Sequence, residues 1–278
     1  MFARRLMVVF AVIAAFTLSF ASLSANAQSA SAGTCADPGY ITAFASTGTA
    51  MKAVDFTNTS TVGSSLLALI KARSQFEDTV PPVGCEAAKT AVVAFLSAEE
   101  DSLYAVVAVK ADTANAADYT KIANGAAARI QKLATAVTSA FASAPAAAST
   151  GPVATAAAAP PQVCSDAALS AQVKSDTSPL SGMTGTDLAP VIALRYKYED
   201  MTSVPTGCSD GVTLLIQSFM VVEDQISLSL LAQADTANAS SYTDFITNTL
   251  APRASALGKN ALIAFPSLAA TAAPTASS

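Results

Sequence analysis

The stretch RSQFEDTVPPVGC, residues 73–85, returns as RYKYEDMTSVPTGC at residues 195–208. Both copies present an Arg, a Glu-Asp pair, a Pro and a closing Gly-Cys in the same order. A second phrase, ADTANAADYT at 111–120, returns as ADTANASSYT at 234–243, at the same distance from the Cys. Self-similarity of this kind indicates a repeated structural unit. The chain therefore reads as two copies of one fold.

Apolar residues recur at helical spacing on both sides of the repeated stretch. Leu66, Leu69, Ile70, Arg73 and Phe76 follow one another at intervals of three or four residues, which predicts one helix face. Proline then ends that helix in both copies, because it lacks the backbone N–H that a helix needs. In the first copy the predicted helices are 37–56, 63–79, 85–111 and 115–142. The pattern predicts an all-α protein made of two tandem up-down helical bundles with about four helices each.

Composition divides the chain further. Residues 143–163 are rich in Ala, Pro, Ser and Thr, carry no charge and show no helical period, which is typical of a linker. The last residues have the same composition and are predicted to be a disordered tail. The expected organisation is a signal peptide at 1–27, a first repeat at 35–142, a linker at 143–163, a second repeat at 164–266 and a tail at 267–278.

The first residues are typical of a secretory signal. Arg4 and Arg5 precede an apolar run from Leu6 to Phe20, and Ala25-Asn26-Ala27 matches a small-x-small cleavage site. The run is shorter than the ~20 residues that span a bilayer. A secreted or cell-envelope location without a membrane span after cleavage is expected, and an uncleaved anchor helix is the alternative.

Two cysteines fall in each copy, and no Cys-x-x-Cys is present. Four cysteines in an exported chain predict two disulfides, for which three pairings exist in principle. The repeat favours one disulfide within each copy. In an up-down bundle the first and third helices begin at the same end, so the predicted pairs are Cys35 with Cys85 and Cys164 with Cys208.

Several chemistries are disfavoured. The chain has no His and a net charge of −5, and it carries no phosphate-binding or dinucleotide-binding glycine motif. The missing His removes Ser-His and Cys-His catalysis and the usual zinc sites. The acidic balance argues against binding to nucleic acid. No cofactor, metal site or catalytic residue is predicted.

Paired carboxylates are the remaining catalytic candidates. The pairs are Glu77-Asp78, Glu99-Glu100-Asp101, Glu199-Asp200 and Glu223-Asp224. Neighbours on a helix point in different directions, so one member of each pair is expected to face water. Arg73–Glu77 and Arg195–Glu199 are spaced for ion pairs on the helix surface. The expected buried ion pairs join Glu100 with Arg129 and Glu223 with Arg253.

The phrase ADTAN falls between the third and fourth predicted helices of each copy. Asp and Asn side chains can accept hydrogen bonds from the N–H groups that open a helix. A calcium loop would need more oxygen donors at alternating positions and a Gly, where this chain has Ala. The predicted helix-corner caps are Asp112, Asn115, Asp235 and Asn238.

The order Arg, Glu-Asp, Val-Pro and Gly-Cys, at Arg195, Glu199-Asp200, Val204-Pro205 and Gly207-Cys208, resembles uncharacterised secreted helical domains of bacteria. The first copy carries the same order, with Pro81-Pro82 before Gly84-Cys85. The resemblance implies an exported helical domain and no activity. The tandem arrangement and Ala/Ser/Thr bias also resemble fungal hydrophobic-surface-binding and cell-wall mannoprotein domains, which hold lipids, although the Cys pattern differs.

The sequence thus favours a non-catalytic secreted or cell-envelope protein whose two helical domains serve binding or assembly. Its partner would be an unknown protein, a cell surface or an apolar ligand. One alternative is a carrier of fatty acid or another apolar molecule inside each bundle. A second is an acid/base hydrolase that uses Glu100 and Glu223.

Overall fold

The protein is described here by a computed structural model. It covers residues 35, 37, 40, 58–82, 84–111, 113, 115–141, 160–182 and 188–271. The predicted signal, most of the predicted first helix, Asp112, most of the linker and the end of the tail lie outside these residues. The chain divides into two compact units, unit 1 from Met1 to Ala157 and unit 2 from Ala158 to Ser278. The described residues contain no strand, which confirms the all-α class.

Unit 1 is described as three long helices. They are α1, Thr59–Asp78, α2, Glu86–Ala111, and α3, Ala116–Ala140. Asn58 caps the start of α1 by accepting a hydrogen bond from the backbone N–H of Ser60. The side chain of Lys89 holds the other end of α1, because its Nζ donates to the carbonyl oxygens of Glu77 and Thr79. Helix α2 packs against both α1 and α3 and is buried at every residue from 95 to 105.

Unit 2 is described as four helical segments, of which the last three follow the order of α1, α2 and α3. Helix α4, Ala167–Thr177, continues as a 3₁₀ turn at Ser178–Gly182, and α5, Ala189–Glu199, and α6, Ser209–Ala234, follow. The last helical segment of unit 2 consists of α7, Ala239–Phe245, a π-helical turn at Ile246–Leu250, and α8, Ala251–Ala264. A 3₁₀ turn at Pro266–Thr271 follows α8. The core of unit 2 joins apolar side chains of these elements, among them Val173, Val191, Val212, Phe219 and Phe265.

The π-helical turn marks a one-residue difference between the copies. The interval from Tyr242 to Arg253 is one residue longer than that from Tyr119 to Arg129. A π turn holds one extra residue without ending the helix. Pro252 lies at the start of α8 and supplies no N–H to the preceding turn. Beyond the π turn the copies return to register, because Val137 and Ala261, eight residues after the two arginines, are both buried.

Each unit is closed by a disulfide and a backbone hydrogen bond at the same end. Cys35 is bonded to Cys85 and Cys164 to Cys208, which confirms both predicted pairings. The N–H of Cys35 donates to the carbonyl of Ala140 at 2.9 Å, and the N–H of Cys164 donates to Ala264 at 2.9 Å. The first cysteine of each copy therefore ties the end of the last helix to the start of the long central helix.

A tight turn with a positive-φ glycine presents the second cysteine of each pair. Gly84 has φ 85° and Gly207 has φ 79°. The N–H of Cys208 donates to the carbonyl of Pro205, which closes a four-residue turn with Gly207 at its third position. That position of a type II turn requires a left-handed backbone, which glycine adopts without strain. The Gly-Cys repeat in the sequence is thus a requirement of the turn.

We expect Gly207→Ala to destabilise unit 2 by about 1–2 kcal/mol, because a Cβ disfavours the left-handed conformation. The matched control is Gly258→Ala in α8. Apart from the neighbouring backbone of its own helix, its added Cβ would meet no atom within 4 Å, and alanine is a better helix former by about 0.5–1 kcal/mol. Urea unfolding followed by far-UV circular dichroism should show shifts of opposite sign. Equal shifts would contradict the turn assignment.

Candidate functional site

A buried arginine joins two carboxylates in the core of unit 1. Helix α1 carries Arg73, whose side chain is fully buried. Its Nε donates to both carboxylate oxygens of Glu100 on α2, each at 2.8 Å, and its Nη1 donates to Glu77 Oε1 at 2.7 Å. We call Arg73, Glu77 and Glu100 the first triad. It holds α1 and α2 at one height through charge-assisted hydrogen bonds, which are stronger than neutral ones.

Unit 2 builds the same arrangement from Arg195, Glu199 and Glu223, the second triad. Nε of Arg195 donates to the two oxygens of Glu223 at 3.0 and 2.8 Å, and Nη1 donates to Glu199 at 3.0 Å. The guanidinium carbon also lies 4.8 Å from the ring centre of Tyr196, within range of a cation–π contact. The same donor atoms thus reach the same acceptors in both copies.

These contacts change two expectations from the sequence. The pairs Arg73–Glu77 and Arg195–Glu199 form, but they lie inside the units and not on a helix surface. The described bonds of Glu100 and Glu223 go to Arg73 and Arg195, on the helix before the central one. Arg129 on α3 and Arg253 on α8 are both half-buried. Their pairing with Glu100 and Glu223 stays a prediction.

The carboxylate pairs are more deeply buried than expected. Asp78 and Asp200 face water, in keeping with one exposed member per pair. The expectation is wrong for Glu223-Asp224, since both side chains are less than a tenth exposed. It is also wrong for the run that starts at Glu99, where all three acids are buried and burial raises the pKa of Glu99 well above its usual range. Helix α2 is enclosed all round there, so no face is left for water.

The corner between the last two long segments of unit 2 is organised by Asp235. Its Oδ2 accepts hydrogen bonds from Nδ2 of Asn238 and from the hydroxyl of Tyr242, both at 2.8 Å. Asn238 and Asn115 hold the N-cap positions of α7 and α3, but neither forms a side-chain cap bond. The predicted capping by these two asparagines is therefore wrong in mechanism. In unit 2 the aspartate instead fixes the asparagine and a tyrosine one turn into the next helix.

The equivalent corner of unit 1 is described only in part, because Asp112 lies outside the described residues. Tyr119 occupies the position of Tyr242 and is equally buried. Its ring packs edge-on against Tyr104 of α2, with centroids 5.9 Å apart. The repeated phrase therefore places a tyrosine against the central helix in both copies.

We expect Asp235→Ala to cost unit 2 about 1–3 kcal/mol, because it leaves the buried hydroxyl of Tyr242 without its acceptor. Tyr242→Phe removes the donor and should cost about 0.5–1.5 kcal/mol. The double variant should be less destabilised than the sum of the two, as measured by urea unfolding. Strict additivity would show that this hydrogen bond does not couple the residues.

Two polar contacts were not anticipated from the sequence. Asp37 and Asp166 each follow a cysteine by two residues, and each accepts a hydrogen bond from the backbone N–H three residues later, that of Tyr40 and of Leu169. The Cys-x-Asp spacing occurs in both copies, and this repeated pattern could have predicted the two contacts. Asp166 thereby caps helix α4, which the disulfide of unit 2 anchors.

The other contact ties α4 to α5 in unit 2. Asp176 Oδ2 accepts from Lys197 Nζ at 2.6 Å and from the Tyr198 hydroxyl at 2.8 Å. Burial acts to raise the pKa of Asp176, but these hydrogen bonds and the lysine charge outweigh it and lower the pKa. Burial, reinforced by the same aspartate, raises the pKa of Tyr198. These hydrogen bonds join α4 to α5, and no equivalent contact is found in the described part of unit 1.

Within the described residues, no group of three or more His, Cys, Asp or Glu side chains is placed to hold a metal ion. Helix α6 is long and apolar enough to cross a membrane by length and composition, yet 56% of its most apolar window is buried inside the protein. Core helices meet the same criterion. Comparison with models of protein families, with curated proteins and with solved structures found no match for this chain.

Proposed function

We propose that this chain is a secreted or cell-envelope protein without catalytic activity, whose two helical repeats serve binding or assembly. One observation carries the proposal: the polar residues that recur between the copies bind one another inside the units. Arg73 and Arg195 each contact two carboxylates, and Asp235 contacts Asn238 and Tyr242. Polar residues that recur and bind one another inside the units stabilise the fold. We therefore expect the binding surface to be formed by residues that differ between the two copies.

The location is supported by the two disulfides. Disulfides persist in oxidising compartments and are rare in the cytosol. The described part of the chain holds no free cysteine. A chain with this framework is suited to the outside of the cell.

Hydrolysis by Glu100 and Glu223 is less well supported. A general base needs a lone pair directed at the substrate. Both oxygens of each carboxylate instead accept from the Nε of a buried arginine. The double variant Glu100→Gln and Glu223→Gln tests the idea, because loss of a measurable hydrolase activity without unfolding would contradict a non-catalytic role.

The alternative of a carrier for a fatty acid or other apolar ligand stays a prediction. Mass spectrometry of a denatured extract of the purified protein tests it. A stoichiometric lipid would replace the binding proposal with a carrier function, whereas lipid-free protein would count against the carrier.

Two tethered copies allow bivalent attachment, in which the linker sets the effective concentration of the second contact. The test uses the full chain carrying a fluorescent label, bound to envelope fractions of the producing cells. We expect cleavage at a protease site placed within residues 143–159 to weaken its retention on those fractions. Loss of avidity is typically about 100-fold or more when two contacts are separated. Dissociation into buffer, followed over time, is the measurement.

The matched control carries the same protease site after Thr271, in the tail. Cutting there should leave retention unchanged, because both repeats stay joined. If cleavage in the linker changes dissociation no more than cleavage in the tail, the two repeats do not act together, and the bivalent form of the proposal is wrong.

A further inference from the structure

The sequence contains two Asn-x-Ser sites, the acceptor pattern for attachment of a glycan to an asparagine in secreted proteins. They are Asn58-Thr59-Ser60 and Asn238-Ala239-Ser240. Transfer of the glycan requires access to the side-chain amide nitrogen Nδ2, because this atom becomes bonded to the sugar. The two asparagines are therefore distinguished by their exposure and by what their amide groups already bind.

Asn58 has an accessible amide nitrogen. The residue is exposed and lies immediately before α1. Its Oδ1 accepts a hydrogen bond from the backbone N–H of Ser60 at 3.0 Å, and no described residue accepts one from its Nδ2. A glycan replaces one hydrogen of Nδ2 and leaves Oδ1 unchanged. The hydrogen bond that caps α1 is therefore compatible with the modified side chain.

The amide nitrogen of Asn238 is already engaged. This residue is half-buried at the corner before α7, and its Nδ2 donates to Oδ2 of Asp235 at 2.8 Å. The same carboxylate oxygen accepts from the buried hydroxyl of Tyr242. A sugar bonded to Nδ2 would crowd these hydrogen bonds at a corner that has little room for it. The structure thus separates two sites that the sequence pattern alone treats as equivalent.

Asn58 also lies far from the contacts that hold unit 1 together. Helix α1 begins at Thr59, 14 residues before Arg73, whereas α5 begins at Ala189, six residues before Arg195. At a rise of 1.5 Å per residue, Asn58 is about 20 Å from Arg73 along the helix axis. A glycan at the start of α1 therefore leaves the first triad undisturbed.

We propose that Asn58 is a site of N-glycosylation and that Asn238 is not modified. The donor is an oligosaccharide linked to a lipid through a diphosphate. A bond forms between Nδ2 of Asn58 and the anomeric carbon of the first sugar, and the bond from that carbon to the diphosphate oxygen breaks. The lipid diphosphate and one proton of Nδ2 leave. This inference rests on the exported location proposed above, because the modification is made on secreted chains.

Peptide mapping by mass spectrometry, on the full chain purified from its producing cells, is the direct test. We expect glycan mass on the peptide that contains Asn58, and an amidase specific for N-linked glycans should remove it and leave an aspartate. The peptide that contains Asn238 should be unmodified. An unmodified Asn58, or a glycan on Asn238, would overturn the proposal. If Asn58 is unmodified in a chain that has lost residues 1–27 and carries both disulfides, the exported location stands and only this inference fails.

Two variants separate the glycan from the helix cap. Asn58→Asp keeps a favourable N-cap side chain but removes the amide nitrogen. Ser60→Ala keeps the backbone N–H that Asn58 Oδ1 binds but removes the hydroxyl that the acceptor pattern requires. Both should lose the glycan while far-UV circular dichroism shows them folded, and the control Asn238→Gln should keep it. A glycan retained by both variants would exclude Asn58 as the site.

Discussion

Arg195→Met should destabilise unit 2 by about 3–5 kcal/mol, because it leaves two buried carboxylates without their counter-ion. The side chain of Arg195 is fully out of solvent, and those of Glu199 and Glu223 are 6% and 8% exposed. Methionine keeps much of the volume, so the loss reflects charge and hydrogen bonding and not a cavity. Urea unfolding of the full chain at neutral pH, followed by far-UV circular dichroism, measures the change.

The same variant should lose less stability in acid. Without the arginine, the folded variant buries two carboxylate charges that have no counter-ion, and uptake of protons from acid removes that cost. The folded variant then binds more protons than the unfolded chain, and its stability rises as the pH falls toward about 5. The destabilisation relative to the unsubstituted protein should therefore shrink between neutral pH and about pH 5. A penalty that does not change with pH would show that the carboxylates reach water.

The control replaces the whole triad by apolar residues, Arg195→Met with Glu199→Leu and Glu223→Leu. Replacing a complete buried ion cluster is often neutral or stabilising, in contrast to removing one member. We expect the triple variant to be more stable than Arg195→Met alone. If it is equally unstable, packing and not charge dominates this position, and the triad is not the element that holds α5 to α6.

Local signals predicted the helices well. The predicted segment 63–79 is observed as Thr59–Asp78, and the predicted segment 115–142 as Ala116–Ala140. Both ends of α1 depend on neighbouring residues, Asn58 at its start and proline after its end, and such information is contained in a short window. The pairing of the cysteines could also be predicted from the sequence. The repeat favours one disulfide within each copy, and the up-down order places the two cysteines of each copy at the same end.

Partners distant in sequence were not predictable in the same way. Arg73 was placed on the apolar stripe of its helix by spacing, which agrees with its burial, yet its contact with Glu100 depends on how α1 and α2 are staggered. Periodicity gives the face of a helix but not the height at which two helices meet. The π turn had a visible signal in the longer interval before Arg253, but only a structure shows that the extra residue is absorbed there.

Removal of one disulfide, by Cys164→Ser with Cys208→Ser, should destabilise unit 2 by about 4 kcal/mol in the chain-entropy model. The two cysteines are separated by 44 residues, so the crosslink restricts a long loop of the unfolded chain. In the folded unit the same crosslink holds the start of the repeat where the Cys164 N–H meets the carbonyl of Ala264. Helix α4 is short and should be the first element to fray.

Hydrogen exchange distinguishes this local effect from general loss of stability. Without the disulfide, amides of α4 should exchange much faster than those of α6, whose apolar core residues Val212, Leu215 and Phe219 remain packed. The matched variant in unit 1, Cys35→Ser with Cys85→Ser, should leave α4 unchanged, because each crosslink closes a loop within its own repeat. Uniform acceleration across α4 and α6 would instead indicate that the disulfide and the core unfold as one cooperative element, and the anchoring role assigned to Cys164 would be wrong.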